Sequence, residues 1–180
     1  MPTLFSRDIE KNITLMKETL HLHINKDIVL RRFDALGLKC ALFYLTGMAS
    51  GENMGELLLW PMKNSSLVLS GKNAAREVIE KVLTAPEVKA EPNPDKAVQM
   101  LLFGQSLILL DGCAEAIVAD LRSYSRRGVS TPQTETVVVG PHDAFNETLR
   151  DNLTLLHRRM ATPDFVASIE TVGDAAGTQR

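Results

Sequence analysis

Apolar residues recur at helical spacing near the start of the chain. They fall on one face of a helix, with polar residues on the opposite face, at Ile9, Ile13, Met16 and Leu20. Ser6 precedes this stripe and has the side chain of a helix N-cap. The pattern therefore predicts an amphipathic helix over residues 7–21.

Two β-favouring runs follow this helix, at residues 27–34 and 38–46. Ala35, Leu36 and Gly37 join them, which is typical of a hairpin. The second run, KCALFYLT, is almost entirely apolar. A strand with that composition is buried on both faces, so we expect it in the middle of a sheet.

Glycine and proline divide the middle of the chain into short elements. Helices are predicted over residues 53–59, 73–83 and 95–103, and the first is expected to stop at Pro61 because proline lacks the amide hydrogen a helix needs. Val88 and Ala90 indicate a short edge strand just before the breaker cluster Pro92-Asn93-Pro94.

Two more apolar runs, at residues 106–110 and 113–121, flank Asp111-Gly112. That dipeptide predicts a hairpin with a two-residue turn. Residues 1–122 are therefore predicted to form an α/β (α+β) subdomain, a small mixed sheet flanked by helices. We refer to them as the first unit.

After the first unit the composition changes sharply. Residues 123–136 are rich in Ser, Thr, Arg, Gly and Pro without periodicity, so residues 123–140 are interpreted as a linker. An amphipathic helix is then predicted over residues 143–160, with its apolar side formed by Phe145, Leu149, Leu153, Leu156 and Met160.

The segment after the linker repeats the start of the chain in outline. Asn12-Ile13-Thr14-Leu15 recurs as Asn152-Leu153-Thr154-Leu155, and Asp27-Ile28-Val29 recurs as Asp164-Phe165-Val166. Residues 141–180 are therefore interpreted as the first helix and strand of a second, truncated subdomain. Coincidence is the alternative, since the match is short. The strand at 164–172 is expected to be disordered, packed on the first unit, or paired with another copy.

The charge and composition of the chain argue against some classes of protein. A net charge of -2 argues against a nucleic-acid binder, which normally carries a basic face. Cys40 and Cys113 lie beside apolar runs and are expected to be reduced core residues in a reducing compartment. No apolar run approaches the roughly 20 residues that cross a bilayer, and no secretory signal is visible.

No enzyme motif in the sequence is complete. LVLSGKNAA, residues 67–75, imitates a phosphate-binding loop but has Ser66 and Asn73 at positions that require Gly and Ser or Thr. His21 and His23 do not share a helical face, and no ligand set completes a metal site. We therefore assign no catalytic residue, metal or cofactor.

Charged residues remain as candidates for interaction. Arg122, Arg126 and Arg127 cluster at the linker, where they either bind an anionic or acidic partner or simply keep the linker solvated.

The region TPQTETVVVGPHDAFNETLRDNLTLLHRRM, residues 131–160, resembles the signature region of GerA-type spore germinant-receptor A subunits. The positions that carry this resemblance are Pro132, Glu135, Gly140, Pro141, Phe145, Glu147, Asn152, Arg158 and Arg159. Thr131, Val139 and His157 depart from the pattern, the last by replacing an Arg, which puts any salt bridge of the motif in doubt. The SYSRRG stretch is also similar to the stage V sporulation protein AF group, and the choice between the two branches stays open.

The resemblance implies a cytoplasmic N-terminal region of two α/β subdomains that precedes membrane helices at the spore inner membrane. It implies assembly with B-type and C-type receptor subunits, a role in nutrient signalling rather than catalysis, and membrane contact only through a part absent from this chain. The candidate interaction residues are Arg122, Arg126, Arg127, Glu135, Glu147, Asn152, Arg158 and Arg159. Self-association and a small-molecule (nutrient) binding role, in a cleft at the strand ends, are the alternatives.

Overall fold

The architecture was obtained from a computed structural model of the chain. It describes residues 4–69, 73–123, 145 and 147–168, together with the backbone of two short strands at 171–172 and 178–179. Most of the predicted linker lies outside these residues.

Five strands form one sheet in the order β1-β2-β4-β5-β3, and every pairing is antiparallel. The strands are β1 Ile28–Ala35, β2 Leu38–Leu45, β3 Val88–Glu91, β4 Ser106–Leu110 and β5 Ala116–Ala119. A separate two-stranded ribbon pairs β6 Thr171–Val172 with β7 Thr178–Gln179. The predicted fold class is confirmed, and the antiparallel pairing refines the mixed sheet that was expected.

Helices cover both faces of this sheet. They are α1 Ile9–Thr19, α2 Gly51–Met54, a π-helical turn Gly55–Leu59, α3 Trp60–Asn64, α4 Ala74–Lys81, α5 Pro94–Leu102 and α6 Leu149–Arg159. One core lies between the sheet and α1 and α5, and the other lies between the sheet and residues 51–82. Because alternate strand residues feed opposite cores, β2 supplies Phe43 to the first core and Leu42 to the second.

The two predicted hairpins differ in their turns. Leu36 and Gly37 both have positive φ, +57° and +77°, as the two-residue turn between β1 and β2 requires. The prediction of a two-residue turn at Asp111-Gly112 is wrong, because Leu109 pairs with Ala116 and a longer loop joins β4 to β5. In that loop the Asp111 carboxylate accepts from the Ile9 amide at 3.3 Å, so it serves the start of α1.

Asp8, rather than the predicted Ser6, caps α1. Its carboxylate accepts from the Glu10 amide at 2.9 Å. Ser6 instead bonds the buried Asn12, whose side-chain oxygen accepts from the Ser6 amide at 2.8 Å. Capping needs an acceptor within reach of the second or third amide of the helix, and Asp8 is the residue placed there.

The prediction that Pro61 ends the helix is also wrong. Helical structure runs from Gly51 to Asn64, and Pro61 lies in the first turn of α3. The π-helical turn directly before it shifts the bonding, so that the Trp60 amide donates to the Gly55 carbonyl five residues back. At that break in the ladder a proline without an amide hydrogen is accommodated.

Both cysteines are free thiols in the core on the α4 side, as the sequence predicts. Burial raises the pKa of the Cys40 thiol from 9.0 to about 12, and burial also raises the pKa of Cys113. A raised folded-state pKa means that ionisation of the unfolded thiols favours unfolding, so stability should fall as pH rises from 9.0 towards about 12.

We expect the folded chain to resist iodoacetamide at pH 8. The higher pKa alone lowers the reactive thiolate of Cys40 by about 1000-fold, and burial blocks access further. Mass spectrometry over a labelling time course checks this, with chain unfolded in urea as the control. Rapid labelling of folded chain would contradict the buried position of both thiols.

Candidate functional site

A buried polar pair is one of the contacts between the segment after the linker and the first unit. His157 Nε2 on α6 lies 3.0 Å from Asp27 Oδ2, in the turn that leads into β1. The two side chains expose only 2% and 7% of their surface. His157 is the only buried residue of α6. The pair thus joins two residues that are 130 positions apart in the sequence.

Asp27 is held in place by its own backbone. Its amide donates to the side-chain oxygen of the buried Asn25 at 3.1 Å, and its carbonyl accepts from the Thr46 amide at 2.8 Å. These two bonds fix the backbone of the residue whose carboxylate reaches α6. Pre-orientation lowers the entropy lost when the contact forms.

His157 is held by the residues that follow α6. Phe165 packs edge to face against the imidazole, with ring centroids 4.7 Å apart, and the Ala167 carbonyl accepts from the Lys26 amide at 3.3 Å. Residues 165–168 are not a strand, so the predicted strand at 164–172 is wrong over this stretch. The described part of that stretch packs on the first unit, which is one of the three outcomes expected from the sequence.

Gly47, just after β2, provides the second contact with α6. A Cβ atom there would lie 2.7 Å from Thr154 Oγ1 and 3.3 Å from Arg150 Cγ. Gly47 also has φ of +83°, which side chains disfavour. Glycine is thus required twice, by the turn and by the close approach of the helix.

The pair resembles half of a catalytic triad, a histidine oriented by a carboxylate. His157 Nδ1 is buried, and none of the described residues forms a hydrogen bond with it. No nucleophile is therefore bonded to the imidazole within that part of the chain. Across the same residues, no group of three or more His, Cys, Asp or Glu side chains could hold a metal ion.

The interaction residues predicted from sequence are only partly placed. Arg122 lies three residues after the end of β5 and donates to Asp120 at 2.8 Å, a hydrogen bond that lowers the pKa of Asp120. Arg126, Arg127 and Glu135 lie outside the described residues.

The other four candidates belong to the region of α6. Glu147 is exposed before the helix, Asn152 is half-buried, and Arg158 and Arg159 are exposed in its last turn. None of these four is the residue that the helix buries. Sequence reasoning missed the pair itself. The available signal was His157, which stands where the resembling pattern has an Arg.

The predicted helix at 143–160 is corrected at its start and on its buried face. It begins at Leu149 after Thr148, and Phe145, which precedes it, is 64% exposed. Leu149 and Met160 are also exposed. The ends of the apolar stripe are therefore exposed and its members Leu153 and Leu156 are only half-buried, whereas His157 is buried and Thr154 lies close to Gly47.

The internal echo has a local structural counterpart. Thr14 Oγ1 donates to the Glu10 carbonyl at 2.9 Å, and Thr154 Oγ1 donates to the Arg150 carbonyl at 2.9 Å. Both motifs thus occupy helices with the same back-bonded threonine. A duplication, and with it the division at residues 122 and 140, stays a prediction.

Within the residues that the structure describes, no helix has the length and apolar character needed to cross a membrane.

Comparison with known proteins identifies relatives over nearly the whole chain. The family model described as Bacillus/Clostridium GerA spore germination protein matches residues 14–179. Spore germination protein KA of Bacillus subtilis is 26% identical over 166 residues, which cover 91% of this chain and 30% of that protein. Stage V sporulation protein AF of the same organism is 26% identical, and the match covers 96% of this chain and 35% of that protein.

The chain spans about a third of the length of these curated relatives. A solved structure shows the same fold: the N-terminal domain of the A subunit of the Bacillus megaterium spore germinant receptor GerK3 superposes with a TM-score of 0.73 at 23% identity. That match covers 99% of this chain and 65% of the solved one. Because the family model spans residues 14–179, the chain belongs to the GerA family of Bacillus/Clostridium spore germination proteins.

Proposed function

We propose that this chain is a cytoplasmic module of a spore germinant receptor A subunit, and that it passes a conformational change between receptor parts without catalysing a reaction. The observation that carries the proposal is the buried Asp27–His157 contact, which joins α6 to the sheet of the first unit. A signalling module needs such a contact, one that defines a position and can also be broken.

The size and chemistry of the contact suit a reversible junction. Apart from His157, the residues of α6 are half-buried or exposed, so the helix does not contribute a fully buried apolar face to either core. Contacts of this kind resemble transient interfaces, which are more polar than permanent ones. The sheet has its own two cores and does not need α6 to complete them.

The family and the thiols support the location and the partners. Relatives include spore germination proteins B1 and A1 of Bacillus subtilis, and the solved neighbour is a receptor A subunit. Two free buried thiols are typical of a reducing compartment such as the cytoplasm. The expected partners are the B-type and C-type receptor subunits, with self-association as a further possibility.

A non-catalytic role is supported by the missing parts of an active site. In the described ranges the imidazole of His157 has no bonded nucleophile, and no cluster of metal ligands occurs. Of the charged candidates that the structure describes near α6, Glu147, Arg158 and Arg159 are exposed, which suits protein contacts better than chemistry.

Binding of a small nutrient is the second candidate. A groove of about 540 Å³ lies along the end of α1, lined by Thr14, Lys17, Glu18, Leu22 and His23. That volume is within the range of small-molecule sites. Titration of candidate germinants at millimolar concentration by NMR tests it, and an absence of shifts at these five residues would remove it.

The signalling role is tested in spores that carry the full-length A subunit. We expect Asp27→Ala to leave the amount of receptor and its co-purification with B-type and C-type subunits unchanged, because the sheet stays folded. Germination should slow about ten-fold, as a shift of about 1.4 kcal/mol between two states implies.

The matched control is Asp95→Ala, an exposed carboxylate in the first turn of α5. It should germinate at the normal rate. Normal germination of the Asp27→Ala spores, or failure of the intact A subunit to co-purify with any receptor subunit, would refute the proposed role.

A further inference from the structure

The five residues that follow β2, Thr46–Ser50, begin at the α6 site. The Thr46 amide donates to the carbonyl of Asp27, the residue that binds His157, at 2.8 Å. The next residue, Gly47, lies directly against Thr154 of α6. The beginning of this segment therefore forms part of the surface on which α6 rests. We call residues 46–50 the coupling loop.

The same loop holds the chain where it leaves the first unit. The Ser50 amide donates to the Leu121 carbonyl at 3.0 Å, and the Ser123 amide donates to the Met48 carbonyl at 2.9 Å. Between these bonds Ala49 and Arg122 form an isolated antiparallel bridge. The residues at the boundary between the first unit and the predicted linker are thus paired with the loop that receives α6.

The loop is also anchored in both cores. Met48 is fully buried in the core with α1 and α5, and Ala49 packs against the core on the opposite face of the sheet. Ser50 Oγ then accepts from the Asn53 amide at 3.2 Å and caps α2. Residues 48–50 thus pass from one core to the other. We expect a displacement at one end of this segment to be passed to its other end.

Two physical properties make such a loop a connector. Consecutive Cα atoms are held about 3.8 Å apart, so a displacement of Gly47 is passed to Met48 and Ala49. Packed cores resist continuous deformation, so buried residues shift between arrangements instead of absorbing the displacement. Through the loop, α6 is joined to α2 and to residues 121–123.

We propose that the coupling loop makes the docking of α6 and the ordering of residues 121–123 and of α2 depend on each other. This inference rests on the proposed function, because it names the route of the conformational change. Coupling of this kind is reciprocal: release of α6 loosens the start of α2, and loosening α2 releases α6.

The forward direction is tested by amide hydrogen exchange on the 180-residue chain carrying His157→Ala. We expect the amides of Ser50, Met54 and Ser123, which are bonded at the loop, to exchange at least about ten-fold faster, while β4 and β5 are unchanged. His23→Ala, an exposed histidine, is the control and should change none of them.

The reverse direction is tested by removing the cap of α2. Ser50→Ala should accelerate exchange in α6, where the amides of residues 153–157 are monitored, by about five-fold, although Ser50 is not part of the α6 contact. Asn93→Ala removes the equivalent cap of α5, where Asn93 accepts from Asp95 and Lys96, and should leave α6 unchanged.

A glycine pair gives a third measurement. Gly47 and Gly112 share φ of +83°, but a Cβ at Gly112 meets no atom within 4 Å. Both alanine variants carry the same backbone strain, so only Gly47→Ala should add faster exchange in α6 and at Ser123. Should that variant fail to fold, the His157 and Ser50 variants decide.

The coupling is overturned if exchange rises only within residues 149–168 in His157→Ala, or if Ser50→Ala and Asn93→Ala affect α6 equally. A uniform rise in all strands, which indicates global unfolding, would count against it as well. These measurements need no receptor, so their failure is distinct from failure of the signalling role, which is measured by germination.

Discussion

Asp27→Ala is expected to detach α6 from the first unit while the five-stranded sheet stays folded. The substitution leaves His157 buried beside Phe165 without its acceptor. Removing one partner of a buried, hydrogen-bonded pair costs about 3–5 kcal/mol when the other partner cannot escape. Here α6 can move into water, so the cost is limited to the free energy of docking.

The measurement is a double-mutant cycle with Asp27→Ala, His157→Ala and the double variant. Docking is followed by the rate of proteolysis in α6. We expect a coupling free energy of about 1.5–3 kcal/mol, the size found for hydrogen bonds to charged groups. The double variant should then be no more easily cleaved than either single variant.

The matched control is the ion pair between Glu10 and Arg32, whose side chains are about half exposed. Screening by water limits such surface pairs to roughly 0–1 kcal/mol, so Arg32→Ala should leave α6 protected. Additive effects of the Asp27 and His157 variants would show that the pair does not hold the helix.

Phe43→Ala is expected to destabilise the whole first unit. Phe43 lies in β2, an interior strand that pairs with both β1 and β4, and is fully buried in the core with α1 and α5. Truncation of a buried Phe removes transfer free energy and leaves a cavity in a packed core, at a cost of about 3–5 kcal/mol.

Urea unfolding followed by far-UV circular dichroism measures this loss. Val68→Ala is the control, because its side chain is 79% exposed and its truncation should change stability by less than about 0.5 kcal/mol. A loss below about 1 kcal/mol for Phe43→Ala would mean that the central position of β2 is wrong. The two experiments together separate loss of docking from loss of the fold.

Sequence reasoning succeeded where a signal is carried within one element. The apolar run of β2 predicted a strand inside the sheet, and the stripe of α1 predicted a helix that packs on the sheet through its apolar face. Burial on one or both faces leaves a periodic record along the chain, which can be recognised without knowing the partner element. The motif around Gly140 and Pro141 likewise indicated the family that the comparisons then confirmed.

Local rules failed where a distant residue changed the outcome. Asp111 and Gly112 have the composition of a tight turn. They instead bond residues at the start of α1, and a longer loop joins β4 to β5. Pro61 has the properties of a helix terminator, yet a preceding π-helical turn admits it. In both cases a contact or a bonding pattern outside the local motif decided the conformation.

The sequence by itself therefore determined the fold class, the central strand and membership of the family. Only the tertiary structure decided that His157 is the residue of α6 that becomes buried, that Asp27 bonds it, and that Gly47 lies against the same helix. The physical reason is that a single polar pair leaves no periodic pattern. Its partners are brought together only by the path of the folded chain, across 130 positions of sequence.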